Sequence, residues 1–380
     1  MWGILRHLKS SKICGKTLQT GTRDFLEKIQ ASPLPSAKCI ATQPPQDTVM
    51  NVFDRKTKRL QKNYMAKLKD YQVYDYVHEE AGWRLADRVC DVKRKFETVV
   101  DLGCRRGHVS KHIYDDMAGK LYMCDMAEKV LEQAVLPETV PVSKVIVDEE
   151  FIPFKDNSID LFVSSLSLHW VNNLPSTFKQ VFNSLKPDGA FIGCMFGGET
   201  LFELRVALQL TETELEGGFA PHVSPFTEVR DLGNLLNRAG YTLLTIDIDD
   251  MIINYPSMIE LMEDLKGMGE SNCAWKRKLH LRRSTTKAAA EKYKEMYGNE
   301  DGTIPATYQM IYFIGWKPDS SQKRPAKRGS GQVSIKDIDH LEDVTKQVSS
   351  DRYKTENIDD KTKDSIKVLH KQDNDTEREK

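Results

Sequence analysis

The 380-residue chain has no C-x-x-C pair, although it carries seven cysteines: Cys14, Cys39, Cys90, Cys104, Cys124, Cys194 and Cys273. The missing pair argues against a zinc site and the odd count against a closed disulfide framework, so the thiols suit a reducing compartment. Neither sign of charge is in excess. The 55 Lys and Arg stand against 56 Asp and Glu, for a formal net charge of -1, and such a global balance gives no sign of a nucleic-acid footprint, leaving only a local patch open. No apolar run approaches the length that crosses a bilayer, which leaves room only for peripheral membrane contact. Hydrophobic residues make up 39%, low for a compact domain, as expected if polar ends dilute an ordinary core. The dinucleotide fingerprint G-x-G-x-x-G is missing too: its three positions are filled by Gly103, Arg105 and His108.

Acids are also missing from the start of the chain. Arg6, Lys9, Lys12, Lys16 and Arg23 appear before any acid, interleaved with Trp2, Ile4, Leu5, Leu8, Ile13 and Leu18. That pattern predicts a mitochondrial presequence rather than a secretory signal, followed by a Pro-bearing connector, together covering 1–46. At the other end, 319–380 is dominated by Lys, Asp, Ser and Thr with isolated apolar residues, which predicts a disordered tail.

What is present is organised around 98–108. Val99-Val100-Asp101-Leu102 reads as a strand ending near an acid, and Gly103-Cys104-Arg105-Arg106-Gly107 as a tight loop opening a helix whose free N–H groups can meet a ligand. Gly103 turns the chain without a Cβ penalty, and Gly107 allows close helix–sheet packing. The spacing resembles the first motif of class I S-adenosylmethionine-dependent methyltransferases, usually D/E-x-G-x-G-x-G. Arg105 stands where that family has its middle glycine; its side chain either points to solvent or crowds the cofactor's amino-acid part.

Two more acids fall at strand ends. Leu121-Tyr122-Met123-Cys124-Asp125 lies about 20 residues beyond the loop, where a carboxylate accepts hydrogen bonds from ribose hydroxyls. Val145-Ile146-Val147-Asp148-Glu149 is a third strand, whose terminal acid in the resembled family reaches the adenine amino group. Strands and helices then alternate from 97 to 318, with further strands at 159–165, 190–196, 241–247 and 308–316 and helices at 199–214 and 228–239, the latter stopped by Gly240. The fold class is therefore α/β, a class I methyltransferase-like (Rossmann-like) seven-strand sheet with helical insertions. Ahead of it, 47–96 contains two helical patterns, the first capped by Asp54 and running to about Lys69. Its basic residues Arg55, Lys56, Lys58, Arg59 and Lys62 either cover the cofactor or form a solvated face, the second being the ordinary outcome.

Ligands of such sheets bind beyond the carboxyl ends of the strands. This places a substrate near 166–171, 197–200 and 217–226, with the glycine-bearing 266–275 as a candidate loop. His169 and Trp170, at the exit of the fourth strand, are the catalytic candidates; the alternative is a buried aromatic pair. No His-x-Asp/Glu pair with a distant His marks a facial triad for iron, and no metal site is expected.

Several longer runs carry a closer resemblance. Asn51-Val52-Phe53-Asp54-Arg55, Asp148-Glu149-Glu150-Phe151-Ile152-Pro153-Phe154, Val163-Ser164-Ser165-Leu166-Ser167-Leu168-His169-Trp170-Val171 and Gly267-Met268-Gly269-Glu270-Ser271-Asn272-Cys273-Ala274-Trp275 are similar to the methyltransferase-like arginine hydroxylases that assist mitochondrial complex I assembly. The resemblance implies a matrix protein peripheral to the inner membrane. Its partner would be the iron–sulfur core subunit of the matrix arm, hydroxylated on an arginine during early assembly. It also implies S-adenosylmethionine as cofactor, with Asp101, Gly103 and Gly107 in the loop, Asp125 at the ribose and Asp148 at the adenine; the oxidant is not identified. An ordinary methyltransferase and an assembly chaperone without catalysis are the competing readings.

Overall fold

A computed structural model describes residues 51–322 and the single position Gly329; the presequence of 1–46 and nearly all of the tail lie outside them. Two helices come first, α1 (Arg55–Met65) and α2 (Tyr76–Cys90). Asp54 caps α1 by accepting the Thr57 backbone N–H at 3.1 Å, as expected of an acid ahead of a helix. The helix ends at Met65, short of the expected Lys69.

The strands are β1 (Phe96–Leu102), β2 (Ala118–Asp125), β3 (Val142–Ile146), β4 (Ile159–Ser165), β5 (Leu185–Phe196), β6 (Thr242–Tyr255) and β7 (Ile304–Trp316). They form one seven-stranded sheet in the order β3-β2-β1-β4-β5-β7-β6. The first five run parallel, and β7 is antiparallel to both β5 and β6. Between strands lie α3 (Glu128–Glu132), α4 (Leu174–Ser184), α5 (Phe202–Glu216), α6 (Val229–Ala239), α7 (Met258–Gly267) and α8 (Arg283–Tyr297). No helix of the described residues is long and apolar enough to cross a membrane.

Successive residues of a strand point to opposite faces, and β4 and β5 use this to feed two cores. Leu161, Val163, Ala190 and Ile192 join the core under α2 and α5, while Phe162 and Phe191 join the one under α4 and α6. Each of these phenylalanines is fully buried, a contribution of roughly 1.5–3 kcal/mol apiece.

Three expectations change. The glycine loop does not open an α-helix; a three-residue 3-10 turn, Ser110–His112, is all that follows. Arg105 and Gly107 both have positive φ, 51° and 84°, so no helical turn can propagate through them. β6 continues to Tyr255 rather than stopping near 247. Its acids Asp247, Asp249 and Asp250 hid the strand, but β7 supplies the ladder, and Arg88 and Arg84 of α2 neutralise Asp247 and Asp249. The insertion between β6 and β7 contains α7 and α8, which periodicity did not single out.

Candidate functional site

The site is assembled at the carboxyl ends of β1, β2 and β4. Asp101 is fully buried there and accepts the Ser110 hydroxyl at 2.6 Å, while its Oδ1 has no partner among the described residues. Burial, with Ser110 opposing and Asp125 reinforcing, pushes this carboxyl up to about 7. The loop is tied to β2 by the Gly103 and Cys104 N–H groups, which donate to the Cys124 carbonyl at 2.8 and 2.9 Å. Gly103 is obligatory on two counts: its φ is +74°, and a Cβ would lie 2.3 Å from Ser167 Oγ. Gly107, at φ +84°, would bring a Cβ within 2.5 Å of the Val135 carbonyl oxygen.

Asp125 ends β2 with every oxygen engaged. Oδ1 accepts the Ala127 N–H at 2.8 Å; Oδ2 accepts the Arg105 N–H at 3.1 Å and the Lys62 ammonium at 3.0 Å. Asp148 lies two residues past β3, where Oδ1 accepts from Glu150 N–H at 3.0 Å and Arg55 Nη2 at 2.6 Å. Its neighbour Glu149 points further in and receives Ser167 Oγ at 2.6 Å, Lys62 at 3.3 Å and the Arg55 guanidinium. Burial alone would raise the Glu149 carboxyl, yet Lys62 and Arg55 outweigh it and hold the group well below the usual carboxylate range.

The cations come from one face of α1. Arg55, Lys58 and Lys62 are spaced i, i+3 and i+7, one helical stripe, and Lys58 and Lys62 are buried. The solvated basic face expected from composition is therefore confined to Lys56 and Arg59, which are exposed. Burial opposes the charge on Lys62, but Asp125 and Glu149 raise its affinity for the proton overall. Lys58 has no such acid in contact. It donates to the carbonyls of Gly269 and Ser271 at 3.0 Å each and lies 3.4 Å over the Trp170 ring, and burial lowers it to about 8.

A second centre forms beside the first. The Glu270 side chain, 3% exposed, accepts from Trp170 Nε1 at 2.7 Å and from the Arg105 guanidinium, whose Nη2 also donates to the Met268 carbonyl. His78 Nε2 and His169 Nε2 each lie 3.2 Å from a Glu270 oxygen. Burial would raise the Glu270 carboxyl, but the Arg105 charge and the two histidines hold it well below its usual range. Facing an anion, each histidine presents its proton on Nε2. Burial keeps both neutral, His78 at about 4, and leaves His169 Nδ1 an acceptor without a partner among the described residues. His169 and Trp170 thus sit together, packed with Phe196 and Phe226.

Arg105 settles the alternative posed by its position. It keeps the left-handed backbone of the glycine it replaces, and its side chain turns inward, buried, between Met65 of α1 and Met268. As folded, the cradle does not fit S-adenosylmethionine: Lys62 and two backbone N–H groups take three of the roughly four acceptor sites of the ribose acid, and the Arg105 side chain spans from the loop to Glu270 and the Met268 carbonyl. Two histidines and a carboxylate also meet at Glu270, the ligand set a non-haem iron wants. A guanidinium is bonded to that carboxylate, and among the described residues no group of His, Cys, Asp or Glu is disposed to hold a metal ion.

Thus Asp101, Gly103, Gly107 and Asp125 converge on one loop, Asp148 lies at its rim, and His169 and Trp170 belong to the adjoining centre. Glu149 and Glu270 were not singled out in sequence. Both lie inside runs that were, next to Asp148 and within 266–275, and only the fold turns them inward.

Comparison with known proteins adds four findings. A methyltransferase domain family matches residues 100–193. The chain is 55% identical over 292 residues to arginine-hydroxylase NDUFAF5, mitochondrial, of Danio rerio, covering 77% of this chain and 91% of that one. Its counterpart in Dictyostelium discoideum is 41% identical, covering 77% and 71%. A malonyl-[acyl-carrier protein] O-methyltransferase of Methylovorus is 27% identical, covering 70% and 91%.

Proposed function

From the premise that this chain belongs to the NDUFAF5 family of mitochondrial arginine hydroxylases, we propose that it hydroxylates an arginine side chain of a respiratory complex I subunit during assembly. The substrate is the iron–sulfur core subunit of the matrix arm, and the enzyme works in the mitochondrial matrix, peripheral to the inner membrane. The observation that carries the reading is the 55% identity across 91% of an arginine hydroxylase. The acid-free, basic start of the chain supports the location.

A methyltransferase scaffold does not fix the chemistry, because fold and reaction are separable. Methyl transfer runs largely on proximity between a nucleophile and a sulfonium methyl. Here Lys62 and the Arg105 backbone N–H hold Asp125, the acid that would receive the cofactor's ribose. Hydroxylation inserts one oxygen into a C–H bond and draws on an oxidant. What the chain's own residues supply is a buried carboxylate at Glu270, two neutral histidines, and an indole that donates to it.

The test is the mass of the target arginine peptide from complex I assembled with and without this protein. A gain of one oxygen is expected. A gain of one methyl group would replace the reading by the methyltransferase, which the matched domain at 100–193 favours. An unchanged mass would leave an assembly chaperone, which the closed cradle favours.

A further inference from the structure

Glu270 has more donors than a structural carboxylate needs, and one of them is an arginine. The fork of Arg105 divides between the Glu270 carboxylate and the Met268 carbonyl, the planar, two-acceptor geometry for which a guanidinium is suited and an ammonium is not. His169, Trp170 and His78 hold the carboxylate from other sides, and Lys58 clamps the carbonyls of Gly269 and Ser271. Arg105 makes this contact from a left-handed backbone, with φ at 51°, a conformation unfavourable for a residue with a Cβ.

Glu270 also lines a cavity of about 160 Å³. Its walls include Leu204, Leu208, Phe226 and Leu265, with His222, Ser224, Glu270, Ser271 and Asn272 as polar members. A second cavity, of about 290 Å³, shares His222, Val223 and Ser224 with the first. A sleeve with leucine and phenylalanine walls and a buried carboxylate among its lining residues suits a long aliphatic cation, and the two-acceptor fork of Glu270 and the Met268 carbonyl selects a guanidinium among such cations.

We propose that Glu270, with the Met268 carbonyl, is the receptor for the guanidinium of the arginine this chain acts on, and that Arg105 is its internal occupant, displaced when that arginine enters through the Leu204–Leu208 cavity. The proposal rests on the arginine-hydroxylase reading and adds to it the residue that recognises the substrate. It also gives Arg105 a role: a self-blocking contact at the mouth of the cofactor cradle.

The experiment titrates Nα-acetyl-L-arginine methylamide, with the lysine analogue as control, into the full chain calorimetrically. Arg105→Ala should bind the arginine probe about tenfold or more tighter than wild type, since the competing charge-assisted pair is gone. The lysine probe should gain little. Glu270→Gln in the Arg105→Ala background should remove the gain, and so should Leu208→Phe, which narrows the sleeve; a hole left merely by the lost Arg105 side chain would not respond to Leu208. Equal binding by wild type and Arg105→Ala, or a gain that survives Glu270→Gln, overturns the proposal. Wild type gives a reading independent of any variant's folding. Amide hydrogen exchange around 103–107 and 267–271 should change with saturating arginine probe and not with lysine; identical exchange with both overturns it. If the probes behave as expected but the target peptide gains no oxygen, the receptor stands and the hydroxylase reading falls. If Glu270→Gln hydroxylates the peptide as wild type does, the reverse holds.

Discussion

Lys62 joins Asp125 to Glu149 in a setting where all three side chains are buried, its ammonium 3.0 and 3.3 Å from their oxygens. Lys62→Met keeps the stem but leaves buried Asp125 with no cation and Glu149 with Arg55 alone. The loss should be about 3–5 kcal/mol, read as a fall in the urea midpoint at unchanged slope. Arg105→Gly acts in the opposite sense on the cradle. It restores the small residue at a left-handed position and empties the space beside Glu270, so isothermal titration should show S-adenosylmethionine binding at least about tenfold tighter than wild type. Affinity unchanged between the two would mean that Arg105 does not obstruct the cofactor. Asp101 carries the pH dependence. Its folded affinity for the proton, about 7 against an ordinary 3.8, means the native chain retains a proton that the unfolded chain releases. Its contribution is complete below about pH 4, declines by up to about 1.4 kcal/mol per pH unit toward pH 7, and levels off above. The stability difference between wild type and Asp101→Asn should shrink across that window in denaturation series at stepped pH; a constant difference would place the Asp101 proton elsewhere.

Elements act through their ends and their closest approaches. α1 carries three cations inward only while its first turn is held, and Asp54 holds it by side chain and by its own N–H, which donates to the Cys273 carbonyl at 2.8 Å. Asp54→Ala should cost about 1 kcal/mol and, by loosening the helix, raise amide exchange across 55–62. At the centre of the sheet, β5 meets β7 where Gly193 faces Phe313, and a Cβ on Gly193 would lie 2.3 Å from the Phe313 ring. Gly193→Ala should therefore destabilise by about 1–3 kcal/mol, and Phe313→Leu in the same chain should recover part of the loss in thermal melts.

Across the whole molecule, the packed part of the chain continues a few residues past β7. Lys317 Nζ donates to the carbonyls of Phe182, Asn183 and Leu185 and to Asn157 Oδ1, and Gln322 donates to Asp188 and to the Lys317 carbonyl. Truncation after Trp316 should lower the melting temperature by a few degrees. Truncation after Gln322 should leave it unchanged, because 323–380 has the composition of a segment with no apolar face to bury.

The glycine loop, the acids at 101, 125 and 148, and the alternation of strand and helix were readable from residue types alone, because strand periodicity, tight turns and carboxylate placement are local properties of the chain. The family, too, lay in contiguous runs. What the chain order could not express is pairing over distance. Arg55, Lys58 and Lys62 read as a basic helix among others, and Glu270 as one polar residue in a glycine-bearing loop, until the fold set Lys62 against an acid 63 residues away and Glu270 against an indole and a guanidinium 100 and 165 residues away. Whether Arg105 faced water or the site was equally undecidable from its neighbours: the left-handed backbone admits both. Tertiary packing chose the interior, because only there does a buried carboxylate offset the cost of burying the guanidinium.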